Sequence, residues 1–209
     1  MDLVQRVKNI CLTPNTEWPV IEAEPTTAGA LVSGYLVPLA GIGAIAGFIG
    51  GSIIGYTVPF IGGTYRTPFV VGLGGAVFMV VMAVVGAFVL SYIINALAPT
   101  FGGTQNSDLA LKVAVYSYTP ALVAAVLKIL PSLGTLAGLI GGLYALYLLY
   151  LGLPRLMKCP PDKAVPYTAV VVICAIVLGF VIAAIGTAVV GAGMMGSGAL
   201  GGMTGRREP

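Results

Sequence analysis

The residues best able to do chemistry inside the apolar stretches of this chain are hydroxyls rather than charged groups. Tyr116, Ser117 and Thr119 stand next to Pro120. Proline cannot donate a backbone hydrogen bond, so we expect a kink that frees the carbonyl of Tyr116. A kinked, hydroxyl-rich point midway along a membrane helix could bind a solute, but an ordinary structural kink carries the same residues.

Three tyrosines further along the chain are spaced three residues apart, at Tyr144, Tyr147 and Tyr150. They could form a ligand-facing ladder, in which Tyr147 would complete a polar site at mid-membrane depth with the hydroxyls around Pro120. They could equally serve in packing, with hydroxyls bonded to neighbouring helices or seated at the membrane surface. The spacing alone leaves both interpretations open.

Groups that support catalysis are scarce in this sequence. There is no histidine, no nucleophile elbow, no phosphate-binding loop and no pair of carboxylates within the apolar runs. Glu17, Glu22 and Glu24 are close in sequence, but Pro19 and Pro25 interrupt the segment, so we expect solvated side chains rather than a metal site. We therefore expect no enzyme activity, no cofactor, and no catalytic or metal-binding residues.

The composition indicates a membrane protein. Only 8% of the residues are charged and 58% are hydrophobic, whereas soluble domains carry about 25% charged residues. Residues 25–65, 67–107, 129–154 and 164–205 contain no charge at all. A span needs about 20 apolar residues, so we predict an all-α, polytopic bundle with five transmembrane helices over residues 31–54, 69–97, 110–130, 133–153 and 167–190.

The remaining residues form two flanking segments, 1–27 and 195–209, around a transmembrane domain at 28–194. Leu3, Val7 and Ile10 repeat at helical spacing, which predicts an N-terminal amphipathic helix lying in the membrane interface. The alternative is a loosely ordered tail. The outward face of this helix would carry Asp2, Gln5, Arg6 and Asn9. Trp18, the single tryptophan, would sit among the lipid headgroups, and the glycine-rich segment 195–209 should be a flexible tail.

Two glycine stripes predict close helix contacts. Residues four apart lie on one face of a helix, and a glycine stripe lets a second helix approach closely. The partner helix could belong to the same chain or to a second copy. The helix-packing stripes are Gly43, Gly47, Gly51 and Gly55 in the first span, and Gly134, Gly138 and Gly142 in the fourth.

The basic residues predict the orientation. Arg6, Lys8, Lys112, Arg155, Lys158 and Lys163 fall on the N-terminal side of a five-span protein, against Arg66, Lys128, Arg206 and Arg207 on the other side. That count of six against four places the N-terminus in the cytoplasm. The fourth span should stop at residues 152–154 and lead into a basic loop. Its Arg155, Lys158 and Lys163, together with Trp18, are candidate contacts for lipids or partner proteins.

The three cysteines and the net charge exclude further classes. Cys11, Cys159 and Cys174 are too far apart to suggest a disulfide framework or a zinc site. The net charge of +3 comes from basic residues scattered among loops, so it indicates no nucleic-acid partner. Asp108 and Lys112 are expected to pair across one helical turn, and Lys128 to snorkel to the surface.

Four segments in a fixed order resemble the bacterial branch of the Yip1 family. They are NTEWPVIEAEP, NALAPTFGG, YSYTP and GLYALYLLYLGLPRLMKCPPDK, and the resemblance runs from about residue 1 to about residue 190. It implies five spans, a cytoplasmic N-terminus and a C-terminus in the lumen or periplasm. The chain lacks the long hydrophilic N-terminal region and the Asp-Leu-Tyr-Gly-Pro stretch of the eukaryotic trafficking members. A bacterial inner-membrane protein is therefore expected.

These observations favour a non-enzymatic scaffold or membrane-organising protein that binds membrane lipids, and possible further partners are other membrane proteins or a second copy of the chain. The alternative is a channel or transporter for a small or lipid-like solute, with its site at Tyr116, Ser117, Thr119 and Tyr147. A polar-lined cavity at mid-membrane depth would favour that alternative.

Overall fold

The computed structural model describes residues 2–57 and 64–204 of the chain. Five helices are long and apolar enough to cross a membrane, so the predicted all-α, five-span architecture is confirmed. We number these spans one to five along the chain. They cover Ala28–Ile54, Phe69–Phe101, Ser107–Ile129, Leu133–Leu156 and Pro161–Met195.

The first span is a continuous but uneven helix. It begins as α3 (Ala28–Leu31), and a π-helical stretch separates this from α4 (Val37–Phe48). A second π-helical stretch, Ile49–Ile54, ends at Gly55, whose positive φ of 90° breaks the helix. Two strands of two residues each, β1 (Tyr56–Thr57) and β2 (Thr64–Tyr65), pair antiparallel beyond it.

The second and third spans are the best-connected part of the bundle. The second consists of α5 (Phe69–Leu97) and a 3₁₀ turn, Ala98–Phe101. Helix α5 packs against the first, third and fifth spans. The third span is interrupted at Tyr118, as the proline after it predicts, and its parts are α6 (Ser107–Ser117), α7 (Thr119–Ala124) and the 3₁₀ segment Ala125–Ile129.

The fourth span, α8 (Pro131–Leu156), ends later than predicted. We expected a stop at residues 152–154, but the helix continues through Pro154. A proline near the C-terminus of a helix forfeits a single bond, and the backbone N–H of Met157 still bonds to the carbonyl of Leu153 at 3.1 Å. The basic loop is consequently short, because α9 (Pro161–Thr204) begins at once.

The segment expected to be a flexible tail is helical as far as it is described. Helix α9 runs through residue 204, and residues 205–209, which include Arg206 and Arg207, lie outside the described residues. Each interior glycine costs a helix about 1 kcal/mol. An established helix needs no new nucleus to continue, however, so it can propagate through such a stretch.

The N-terminal segment forms two helices, α1 (Leu3–Leu12) and α2 (Pro14–Ala23), which we call the N-terminal hairpin. The second helix was not predicted, because Pro19 lies inside it. A proline in a helix costs about 3 kcal/mol. Trp18 and Ile21 are both 1% exposed, and burying two such side chains contributes about 1.5–3 kcal/mol each. This burial offsets the cost of the proline.

The amphipathic helix α1 is present, but its apolar face does not lie on lipid. Ile10 is completely buried, and Leu3 and Val7 pack against the core of the bundle. The hydroxyl of Tyr144 donates to the carbonyl of Cys11 at 2.8 Å. Tyr144 lies twelve residues before the end of α8, or about 18 Å of helix rise. The hairpin therefore packs against the fourth span rather than standing apart from the bundle.

Candidate functional site

The main candidate site is a partly open cavity of about 670 Å³ between the spans. All five spans contribute to its lining, which runs from Leu36 to Ser52 along the first span. Sixteen residues of helix correspond to about 24 Å, against about 30 Å for the hydrocarbon core of a bilayer. The cavity is therefore nearly as long as the membrane interior is thick.

The lining of this cavity is mostly apolar. Many small residues line it and leave space between the helices, and larger apolar side chains such as Phe48, Met79 and Met82 project from the first and second spans. No Asp or Glu in the part of the chain that the structure describes lines the cavity. A volume within about 300–1,000 Å³ and a mainly apolar wall are typical of sites for small apolar molecules.

One end of the cavity is polar. Ser52, Lys128 and Thr135 line it at the ends of their spans, and Thr67 lines it just before the second span, all on the side of the bundle away from the N-terminal hairpin. The cavity thus joins an apolar body to a polar end that carries a single cationic side chain among the described residues.

Glycines from two spans hold the backbone of Lys128 at this end. A Cβ on Gly50 would collide with the Lys128 carbonyl oxygen, and a Cβ on Gly134 would lie 2.7 Å from the Lys128 Cα. A Cβ on Gly47 would lie 3.8 Å from Lys128 Cδ. Because Gly47 is almost one turn deeper than Gly50, the stem of Lys128 turns into the bundle. Its side chain is half-buried, and snorkelling of the ammonium to the surface stays a prediction.

A charge cluster, buried except at Glu24, joins the N-terminal hairpin to the third span. We apply this name to Arg6, Glu17, Glu24 and Lys112. The guanidinium of Arg6 pairs with Glu17 at 2.5 Å and also with Glu24, and the Asn9 amide donates to Glu17 at 3.0 Å. Arg6 and Glu17 are each 3% exposed. Their predicted solvent exposure is therefore wrong, because the two charges compensate each other once α1 and α2 pack together.

Lys112, in the third span, forms hydrogen bonds with the end of α2. Its ammonium donates to the carbonyls of Ile21, at 2.9 Å, and Glu24. The ion pairs found among the described residues do not include the predicted pair of Lys112 with Asp108. Burying an ammonium is costly unless it is hydrogen-bonded, and the two carbonyls supply those bonds.

The family follows from the sequence as a whole. The Yip1 domain model matches residues 8–203. This chain belongs to the Yip1 family. No curated protein and no solved structure matches it. The matched range of the Yip1 domain covers all five spans and most of the N-terminal hairpin, so the protein is an integral membrane protein.

The glycine stripes of this Yip1 domain pack within the chain where they make contact. A Cβ on Gly43 would lie 2.8 Å from the Cβ of Ala125. Gly51 is buried and its carbonyl accepts from the backbone N–H of Thr67, while Gly55 ends the helix. In the fourth span Gly134 is in contact, but Gly138 and Gly142 have open space beside them.

In the fourth span, the predicted glycine stripe differs by one residue from the glycine that makes the contact. The close contact in the middle of that span is at Gly141, where an added Cβ would lie 2.7 Å from the Cβ of Ala124 and 2.8 Å from the Pro120 carbonyl oxygen. Gly134 and Gly141 are seven residues apart, close to two turns at about 3.6 residues per turn, so a strict four-residue repeat does not follow the contact.

The structure does not bring the four residues of the candidate polar mid-membrane site together. Tyr116, Ser117 and Thr119 are buried, and none of them lines the cavity. Thr119 shares a hydrogen bond of 2.8 Å with Tyr35, and the Tyr116 ring stacks edge-on against Tyr35. Tyr147 is 45% exposed on the outside of the bundle. The hydroxyl-bearing residue of the third span that does face the cavity is Tyr118.

Trp18 is not available as a headgroup contact. Its ring lies in the core against Gly152, where an added Cβ would be 2.5 Å from the indole. The prediction of an interfacial indole is corrected by the formation of α2, which turns Trp18 onto the fourth span. The missing side chain at Gly152 makes room for the ring.

The basic loop keeps two of its three candidate contacts free on the surface. Lys158, at φ 52°, and Lys163 are exposed, whereas Arg155 forms an ion pair with Glu22 at 3.4 Å. Between them Cys159 is buried and donates to the Phe101 carbonyl at 3.2 Å. Burial raises the pKa of the Cys159 thiol above its ordinary value; nearby Asp162 raises it further and Lys163 opposes the rise.

Proposed function

We propose that this Yip1 protein is a non-enzymatic lipid-binding protein that organises the membrane around it. The observation that supports this proposal best is the cavity between the spans, with its apolar lining and its polar end. An acyl chain can occupy the apolar body while a headgroup remains at the polar end. The length of the cavity, about 24 Å, accommodates a chain lying along the helices.

The chemistry of the cavity favours a lipid over a polar solute. A transported polar solute needs several converging polar groups at mid-membrane depth, and the buried hydroxyls of Tyr116, Ser117 and Thr119 are turned away from the cavity. Ion pumps and proton-coupled carriers usually place ionisable groups on their pathway. Of the described residues that line the cavity, Lys128 alone is charged.

A second surface would act on the opposite leaflet. We propose a cytoplasmic N-terminus in a bacterial inner membrane, in line with the distribution of basic residues. Lys158 and Lys163 would then face the cytoplasmic headgroups, and each basic residue near an anionic surface contributes about 1 kcal/mol of attraction. Arg155 would add less, because Glu22 compensates its charge.

Adjacent glycines in α5 provide a matched test of the proposal. Gly75 lines the cavity, with ordinary contact space for a side chain, whereas Gly74 is exposed and has nothing beside it. Gly75→Leu places a bulky side chain inside the cavity, and Gly74→Leu adds the same side chain outside it. Each variant is extracted with native lipid, washed in detergent and analysed by native mass spectrometry.

The wild-type protein and Gly74→Leu should retain phospholipid at a fixed ratio per chain, and Gly75→Leu should retain less. Equal retention by all three would contradict the proposal, as would a wild-type protein that carries no lipid. The same spectra count the copies of the chain, so a second copy seated on the open face at Gly138 and Gly142 would appear as a dimer.

A further inference from the structure

The polar end of the cavity holds an ammonium group without a partner. The structure gives the Lys128 Nζ no carboxylate or carbonyl partner among the residues that it describes. The glycine contacts at Gly50 and Gly134 fix its backbone, and its stem runs past Gly47 towards the interior. A cation turned into an apolar bundle is costly unless it meets an anion.

A second hydrogen-bond donor without a partner lines the same cavity, from the first span. The hydroxyl of Ser52 is buried against Gly72 and has no hydrogen-bond partner within the described part of the chain. Buried polar groups are nearly always hydrogen-bonded, so a hydroxyl in a cavity wall that has no protein partner indicates that a ligand or a water molecule bonds to it. Ser52 is five residues beyond Gly47, or about 7.5 Å of helix rise, which is within the span of a glycerophosphate headgroup.

We infer that the cavity binds an anionic glycerophospholipid, with its phosphate on the Lys128 ammonium and an acyl chain in the apolar body. This inference rests on the proposed lipid-binding function and adds the class of headgroup. Charge complementarity supports it, because Lys128 is cationic and no acidic side chain among the described residues lines the cavity. Charge-assisted bonds from lysine to phosphate are stronger than neutral ones. Ser52 is the second donor available to the headgroup.

The experiment measures headgroup preference rather than lipid binding alone. The full chain is reconstituted in nanodiscs of phosphatidylglycerol and phosphatidylcholine in equal amounts, released into detergent and analysed for retained lipid. The wild-type protein should enrich phosphatidylglycerol. Lys128→Met should keep a lipid but bind phosphatidylglycerol about tenfold more weakly. Lys128→Arg should restore the preference, since it restores the charge.

Two further variants separate the site from its surroundings. Arg66→Gln removes an exposed basic residue at the same end of the bundle, and it should leave the preference unchanged. Ser52→Ala should weaken the preference by a smaller factor than Lys128→Met, and it provides a second reading if Lys128→Met fails to fold.

The outcomes distinguish this inference from the function on which it rests. If the wild-type protein retains no lipid, the proposed function itself is overturned. If it retains lipid without headgroup preference, or if Lys128→Met keeps the preference, only the anionic site is overturned. Arg66→Gln could also lose as much preference as Lys128→Met. The preference would then come from general surface charge, and the anionic site would be overturned.

Discussion

The charge cluster provides the sharpest test of how the N-terminal hairpin is held. Arg6 is the central residue, because it pairs with both Glu17 and Glu24 and lies over the ring of Tyr116, 5.6 Å from its centre. Arg6→Met keeps most of the apolar stem and removes the charge. Lys8→Met makes the same kind of change on the exposed side of α1, so it serves as the control.

The expected cost follows from the burial of Glu17. The side chains of Arg6 and Glu17 are each 4% exposed, so the variant leaves a carboxylate in the core with the Asn9 amide as its remaining described partner. Removing one member of a buried ion pair costs about 3–5 kcal/mol of unfolding free energy. A change at an exposed residue such as Lys8 costs no more than about 0.5 kcal/mol.

A double variant separates the ion pair from other effects of the substitution. Replacing a buried ion pair by apolar residues is often close to neutral, so Arg6→Met combined with Glu17→Leu should be more stable than Arg6→Met alone. Unfolding is followed by titration with sodium dodecyl sulfate in mixed micelles. The fluorescence of Trp18 reports release of the hairpin, since this single tryptophan is buried against Gly152.

Two results would refute this reasoning. Arg6→Met could prove no more destabilising than Lys8→Met, which would mean that the cluster contributes nothing measurable. The double variant could lose as much free energy as the two single variants added together. In that case the unpaired Glu17 carboxylate would not be the cause of the destabilisation in Arg6→Met, because additive free energies indicate that two residues do not interact.

Three further predictions concern packing and reactivity. Gly152→Ala forces the Trp18 ring to move and should lower the unfolding free energy by about 1–3 kcal/mol; an unchanged value would contradict the contact. Gly50→Ala should cost a similar amount, because its Cβ meets backbone, whereas Gly138→Ala should be neutral or stabilising; equal effects would contradict the assigned contact. With the other cysteines replaced by alanine, Cys159 should alkylate more slowly at pH 8 than a free cysteine, because its raised pKa leaves less thiolate. Its rate should increase as the pH rises, and a rate equal to that of free cysteine would contradict the burial.

Much of the fold could be predicted because the relevant signals are local. Charge-free runs longer than a bilayer requires mark the five spans, and Pro120 marks the break in the third. The boundaries were less accurate at Pro154 and Pro19, where the helix continues through a proline. Tertiary burial decided both cases: Leu156 and Met157, just beyond Pro154, are fully buried, and Trp18, beside Pro19, is 1% exposed.

The candidate site was predicted poorly, for a different reason. The sequence shows the hydroxyls of Tyr116, Ser117 and Thr119 but not which way they face, and the break at Tyr118 turns a different residue towards the cavity. The glycine at position 50 fell outside the four-residue repeat, although it makes the closest backbone approach.

The amino-acid sequence by itself determined the number of spans, the membrane class and the Yip1 family. Each of these depends on hydropathy and short motifs, which act residue by residue along the chain. Only the tertiary structure decided that Arg6 meets Glu17, that Trp18 enters the core and that the stem of Lys128 turns inward. Whether a charge is solvated or buried depends on which distant segments pack around it, because the energy of a charge is set by its surroundings.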